Sequence, residues 1–135
     1  GWIDSKVKSI DQDSYMQFFT KRKANSVWSK VNKAKVEHLI QTGQMTQAGL
    51  DSIEKAKHNG SWTILDDVEA LILPADLEQA FQDSPQGLEY FLNLSRSDKR
   101  NILQWLVLAK RPETRQKRIT EIIYQAKKAQ KPKQF

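Results

Sequence analysis

Most of the side chains that could do chemistry here lie in two basic segments. One is Asn25-Ser26-Val27-Trp28-Ser29-Lys30-Val31-Asn32-Lys33; the other is Ala109-Lys110-Arg111-Pro112-Glu113-Thr114-Arg115-Gln116-Lys117-Arg118-Ile119. In the first, Trp28 beside Lys30 and Lys33 mixes an aromatic ring with cations, a combination that suits a nucleic-acid backbone with stacked bases. The competing reading packs Trp28 at the start of a helix and leaves the lysines to solvate its outer face. In the second, Arg111, Thr114, Arg115 and Arg118 are candidate anion-binding residues, because the guanidinium fork matches carboxylate and phosphate geometry. On a helical wheel Arg115 falls inside the apolar stripe of Ile119, Ile122 and Ala126, and Arg118 borders it. A cation on a buried stripe needs a partner, so the competing reading is an ion pair between Arg115 and an acid of the middle segment.

The remaining candidates are weaker. His38 shares a stripe with Val27, Val31 and Ala34 and reads as a core or boundary histidine. Asp66, Asp67 and Glu69 offer oxygen ligands but lack the calcium-loop pattern, so a solvated acidic turn is expected. There is no cysteine, which removes disulfides, thiol nucleophiles and thiolate metal sites. Phosphate-loop glycines and a nucleophile-elbow serine are also missing from the sequence. The chain is therefore expected to be non-catalytic, with no cofactor and no metal.

Charge is segregated along the 135 residues, whose net charge is +6. Residues 14–36 hold Lys21, Arg22, Lys23, Lys30, Lys33 and Lys35 and no acid; residues 37–109 are net acidic and residues 110–135 net basic. Such blocks point to docking on an acidic partner, a protein or a nucleic acid, unless the ends and the middle neutralise one another within the fold. The length fits one ordinary domain. No apolar run approaches the roughly 18–20 residues of a membrane helix, so no integral membrane segment is expected. The chain opens on Gly1 rather than Met, and an N-terminal segment is expected to be missing.

These residues need elements to hold them. Trp2–Ile10 and Ser14–Thr20 read as strands around a turn at Asp11-Gln12-Asp13. Trp2 and Ile10 would share one face, Ile3 and Val7 the other, and a hairpin apolar on both faces implies a larger sheet. From Ser26 onward the pattern is helical. A helix after Ser26 would stop at Gly43, and Thr46 would cap a helix buried through Leu50 and Ile53. Thr63 to Ala70 is ambiguous, and Leu71 to Leu73 could be extended. Pro74, Ser84-Pro85, Ser95 with Asp98, and Pro112 would each open a helix. The Ser95 helix, with Ile102, Leu103, Trp105, Leu106, Val107 and Ala109, would be the buried centre. Lys127 to Phe135 reads as a frayed basic tail. The class is α+β: a hairpin, the remnant of a larger sheet, followed by about five or six helices. The expected division is 1–70 as the end of an α/β portion, 71–130 as a helical domain, and 131–135 as a basic tail.

Several strings resemble one bacterial family, the YdeI/OmpD-associated or bacteriocin-protection proteins. They are Gly1-Trp2-Ile3-Asp4-Ser5, Phe19-Thr20 with Arg22-Lys23, and Trp28-Ser29-Lys30-Val31-Asn32-Lys33. Further along come Gly43-Gln44-Met45-Thr46 with Gly49-Leu50, Ile53-Glu54-Lys55-Ala56-Lys57, Leu92-Asn93-Leu94-Ser95 and Ala109-Lys110-Arg111-Pro112-Glu113-Thr114-Arg115. The resemblance spans nearly the whole length. It implies an upstream α/β portion akin to frataxin-like proteins, a helical domain from about Leu73 onward, and a stress-resistance role in tolerating bacteriocins or cationic antimicrobial peptides. It brings no catalytic residues. The leading expectation is an interaction protein with an unidentified protein partner, cytoplasmic or envelope-associated. The alternatives are nucleic-acid binding through segments 21–35 and 110–118, and an iron-binding role suggested by the frataxin-like kinship.

Overall fold

The computed structural model describes residues 2–135, apart from the side chains of Asp4 and Ser5. Gly1, the first residue of the opening motif, lies outside the described residues. The chain divides into two compact units, Gly1–Ile64 and Leu65–Phe135, a boundary six residues before the one expected between Ala70 and Leu71. The class is α+β, with a two-stranded sheet and seven helices among the described residues.

In the N-terminal unit, β1 (Trp2–Ser9) and β2 (Tyr15–Lys21) pair antiparallel. Their turn is held by the Asp11 carboxylate, which accepts from the Ser14 hydroxyl at 2.8 Å and from the N–H groups of Asp13 and Ser14 at 2.9 and 2.8 Å. These bonds, the Ser14 hydroxyl foremost, hold the Asp11 carboxyl below its ordinary pKa. The expected face assignment does not hold. Ile3 lies opposite Thr20 and Val7 opposite Gln17, with a register shift between Asp4 and Val7. An extra residue in one strand flips everything beyond it to the other face. Val7 therefore shares a face with Trp2, Gln17 and Phe19, while Ile3 lies on the other.

Helix α1 (Lys30–Gln41) starts later than expected, because Ser29, not Ser26, is its cap: the Ser29 hydroxyl accepts from Asn32 N–H at 3.2 Å. It stops at Gly43, whose φ of 72° suits glycine. Val31, Ala34 and His38 are exposed and Val36 is buried, so the expected stripe faces outward. Periodicity says which residues share a face, not which face a neighbour covers. Thr46 caps α2 (Gln47–Asn59), accepting from Gly49 N–H at 3.1 Å. Ile53 and Ala56 of α2 join Trp28 and Val36 in this unit's core, with Met45 and Trp62 packed against it. The Asn59 amide donates to Ala24 O at 2.8 Å and ties the segment before α1 to the end of α2.

The C-terminal unit is helical: α3 (Asp66–Glu69), α4 (Ala75–Phe81), α5 (Pro85–Leu92), α6 (Arg96–Val107) and α7 (Pro112–Lys127). The ambiguous stretch resolves into the single turn of α3. Leu71 to Leu73 is not extended: Leu71 adopts φ 58°, and Ile72 N–H closes onto Asp67 O at 2.8 Å. Leu77, Phe81, Ile102, Leu103, Leu106 and Ile122 are almost fully buried. Gly87 lets α5 approach α7, since a Cβ there would meet the Ser84 hydroxyl at 2.7 Å and Ala126 Cβ at 3.5 Å. The tail is not frayed. Phe135 packs edge-on against Trp105 at 5.8 Å, Lys131 pairs with Asp98 at 3.2 Å, and Pro132 is buried.

Candidate functional site

The N-terminal unit contains a cavity of about 580 Å³ between the inner face of the hairpin and helices α1 and α2. Its apolar wall comes from Trp28, Val36, Leu39, Met45 and Ile53, with Trp2 and Phe19 from the strands. Its polar groups are Arg22, Lys35, Gln17, Asn32, Gln44, Thr46 and Ser52, and among the described residues no acidic one lines it. The size and the mixture are those of small-molecule sites.

Arg22 and Trp28 form the centre of this wall. The strand delivers Arg22 one residue past its end, and Trp28 lies just before the Ser29 cap. The Arg22 guanidinium lies 3.6 Å from the Trp28 ring centroid and donates through Nη2 to Val27 O at 2.7 Å. Behind it, Trp28 packs on Trp62 with centroids 5.1 Å apart. Trp28 is 6% exposed. Among the described residues no carboxylate pairs with Arg22, and burial alone pushes its pKa below the ordinary arginine value. Arg22 Nε and Trp28 Nε1 are both buried without an acceptor. A buried donor left unpaired costs about 1–3 kcal/mol, and native structures leave few such groups. Two such donors in one stacked pair of cavity-lining residues are therefore the most informative feature of the site. Sequence reasoning did not single out Arg22, although it noted the Arg22-Lys23 string; no local signal marked it as a site residue.

The residues chosen from the sequence do not converge on one place. Trp28 lines the cavity, but as a packed ring. Lys30 is exposed at the first position of α1, and Lys33 Nζ lies 5.0 Å above the Trp62 ring. Arg115 makes the ion pair that its position demanded: Nε and Nη2 donate to the two carboxylate oxygens of Asp76 at 2.5 and 3.0 Å. That pair holds the Asp76 carboxyl below its usual pKa and lifts Arg115 above its own. Arg118 donates to Trp105 O and lies 4.9 Å from the Trp105 ring centroid. Arg111 is exposed at the cap of α7, and Thr114 is half-buried. Arg115 and Arg118 are thus committed to neighbours in their own unit rather than gathered with Arg111 around an anion. Glu69 of the acidic turn takes two hydrogen bonds from Arg100, at 2.9 and 3.1 Å. Among the described residues no three His, Asp or Glu side chains gather to hold a metal ion, so the iron-binding alternative gains no ligand set from them. No helix among them is long and apolar enough to cross a membrane.

The basic, arginine-rich segment that opens α7 sits inside a recognisable stretch. Residues 70–129 match the family described as bacteriocin-protection, YdeI or OmpD-associated. The C-terminal segment belongs to that family. Residues 1–52, which carry the hairpin, Arg22, Trp28 and nearly all of the cavity lining, match a domain of unknown function. Neither a curated protein nor a solved structure matches the chain.

Proposed function

We propose that this YdeI/OmpD-associated chain is a non-catalytic interaction protein, with the role in tolerance of bacteriocins or antimicrobial peptides that its family description suggests. The observation that supports it is the hairpin. Trp2, Val7, Tyr15 and Phe19 on one face, and Met16 and Phe18 on the other, are all at least 45% exposed. Large apolar side chains exposed together on one strand face and edged by charge, as Trp2, Val7, Tyr15 and Phe19 are, mark a protein contact. The charges beside it are Lys21 and Lys23, within a 23-residue stretch that carries six cations and no acid, so the surface complements an acidic protein. The second basic segment contributes less, since Arg115 and Arg118 are engaged within the C-terminal unit.

Nucleic-acid binding uses the same cations, but Trp28 is a poor platform for a base: Arg22 covers one side and Trp62 packs behind it. Affinity capture from the host, with the wild-type chain and with a Lys21→Glu, Lys23→Glu double variant, tests the reading. A protein retained by the wild type and lost on charge reversal is the expected result. Recovery of nucleic acid alone, released as salt rises from about 50 to 200 mM, would replace it with the second reading.

A further inference from the structure

We infer that the cavity between the hairpin, α1 and α2 binds a small organic anion, a carboxylate carried on a compact apolar body. This goes beyond the docking surface proposed above: Trp2 and Phe19 belong to both, but the cavity's charged and apolar lining from Arg22, Lys35, Val36, Met45 and Ile53 does not belong to that surface.

Four observations lead there. The cavity holds about 580 Å³, inside the range of sites that enclose small ligands. Among the described residues its charged lining groups are Arg22 and Lys35, with no acid beside them, so an occupant that neutralises them is favoured. Its floor is apolar, from Val36, Ile53 and Met45, which suits a hydrocarbon or aromatic body rather than a bare inorganic ion. Finally, two N–H donors inside the stacked Arg22–Trp28 pair, Arg22 Nε and Trp28 Nε1, lack acceptors, which leaves hydrogen-bonding capacity in two residues that line the cavity. Trp28 is over nine-tenths buried, so bulk solvent does not supply one.

A carboxylate supplies what is missing. It accepts hydrogen bonds only, it has two oxygens to match the guanidinium fork, and its hydrogen bonds to a guanidinium are of the strong, charge-assisted kind. Arg22 is half-buried and held by one neutral carbonyl at 2.7 Å, so a modest rotation turns its N–H edge toward the occupant while its plane stays on Trp28. Lys35, exposed on α1 at the rim, adds a second cation above the first. The apolar body then lies on Ile53 and Met45. Gly49 keeps this part of the wall open, because a Cβ there would collide with the Met45 thioether.

The test uses the whole chain and two matched pairs of probes, benzoate with benzamide and hexanoate with hexanamide, followed by ¹H–¹⁵N spectra of the Trp indole and Arg Nε–H groups. At least one carboxylate is expected to move the Trp28 and Arg22 signals and saturate at about millimolar concentration, with its amide at least about tenfold weaker. Arg22→Gln should abolish the response. If that variant does not fold, Lys35→Gln, at an exposed rim position, should weaken binding about threefold with the amide spectrum otherwise unchanged. Three outcomes overturn the inference: no response to either carboxylate, equal response to acid and amide, or response to inorganic phosphate alone.

Discussion

Arg115 grips Asp76 through two hydrogen bonds, whereas Arg22 has only a neutral carbonyl, and the contrast comes from what each chain neighbourhood brings within reach. Arg115 sits on the inward stripe of α7, and α4 places a carboxylate opposite it. Its need for a partner was legible, since a cation among Ile119, Ile122 and Ala126 must be paired; which acid would answer depended on a contact across 39 residues. Arg22 was not legible as a site residue, because nothing local says that a strand end will lay it on a tryptophan. The Arg115 pair makes a prediction. Both side chains remain partly exposed, at 29% and 43%, so Arg115→Gln is expected to cost only about 0.5–1 kcal/mol near neutral pH, measured by urea unfolding. The sign of its pH dependence is fixed. Asp76 has a folded pKa below its unfolded one, so its contribution is present above the unfolded value of about 3.9 and is lost as pH falls through the lower folded value. The wild type and the variant should therefore converge in acid. A gap that persists at about pH 2 would assign the effect to packing of the arginine stem instead.

Helix ends were the best-read elements, because their chemistry is local. Thr46, Ser95 and Pro112 each open the helix they announced, and Gly43 closes one. Where a nearer cap competes, as Ser29 does with Ser26, the sequence alone does not choose. The α1 stripe and the hairpin faces were misread for a different reason. Burial of a stripe depends on where the neighbour lies, and a single bulge inverts a strand's alternation. One feature of the helix ends was invisible beforehand. α1 and α7 finish with the same pattern of backbone bonds, Gln44 N–H to Leu39 O at 2.9 Å and Gln130 N–H to Gln125 O at 2.8 Å, but the residue in the left-handed position is Gly43 in one and Ala129 in the other. A left-handed L-residue costs about 1–2 kcal/mol, while glycine's extra freedom in the unfolded chain offsets about 0.5–1 of that. Ala129 is exposed and loses no packing on truncation, and a Cβ at Gly43 would meet nothing within 4 Å. Ala129→Gly should thus stabilise, and Gly43→Ala destabilise, each by about 0.5–1 kcal/mol. Thermal melts of the two variants should shift in opposite directions. A shift of the same sign would show that the backbone conformation is not what decides.

The two units differ in how much core each can build. The N-terminal unit buries Trp28, Val36, Ile53 and Ala56, and leaves the hairpin's large side chains in solvent. The C-terminal unit buries eleven hydrophobic residues, from Leu65 to Ala126, and ties its last residues down with Pro132, the Lys131–Asp98 pair and the Phe135–Trp105 contact. Domains of this length are marginal, so the number of fully buried side chains decides which stands alone. The partly exposed charge contacts described above, Glu69 with Arg100, Asp76 with Arg115 and Arg118 with Trp105, also join residues of this unit. These contacts and the eleven buried side chains all lie within residues 65–135. Residues 65–135 expressed alone should unfold in one cooperative thermal transition with dispersed methyl signals, which is the behaviour of a packed core rather than a collapsed one. Residues 65–130, which lack the docked tail, serve as the control. They should melt cooperatively but at a lower temperature, because an edge-to-face ring contact is worth about 0.5–1.5 kcal/mol beyond its buried area. A broad, non-cooperative transition in the longer fragment would mean that its core is completed by the N-terminal unit, and that the matched family segment is not an autonomous fold here.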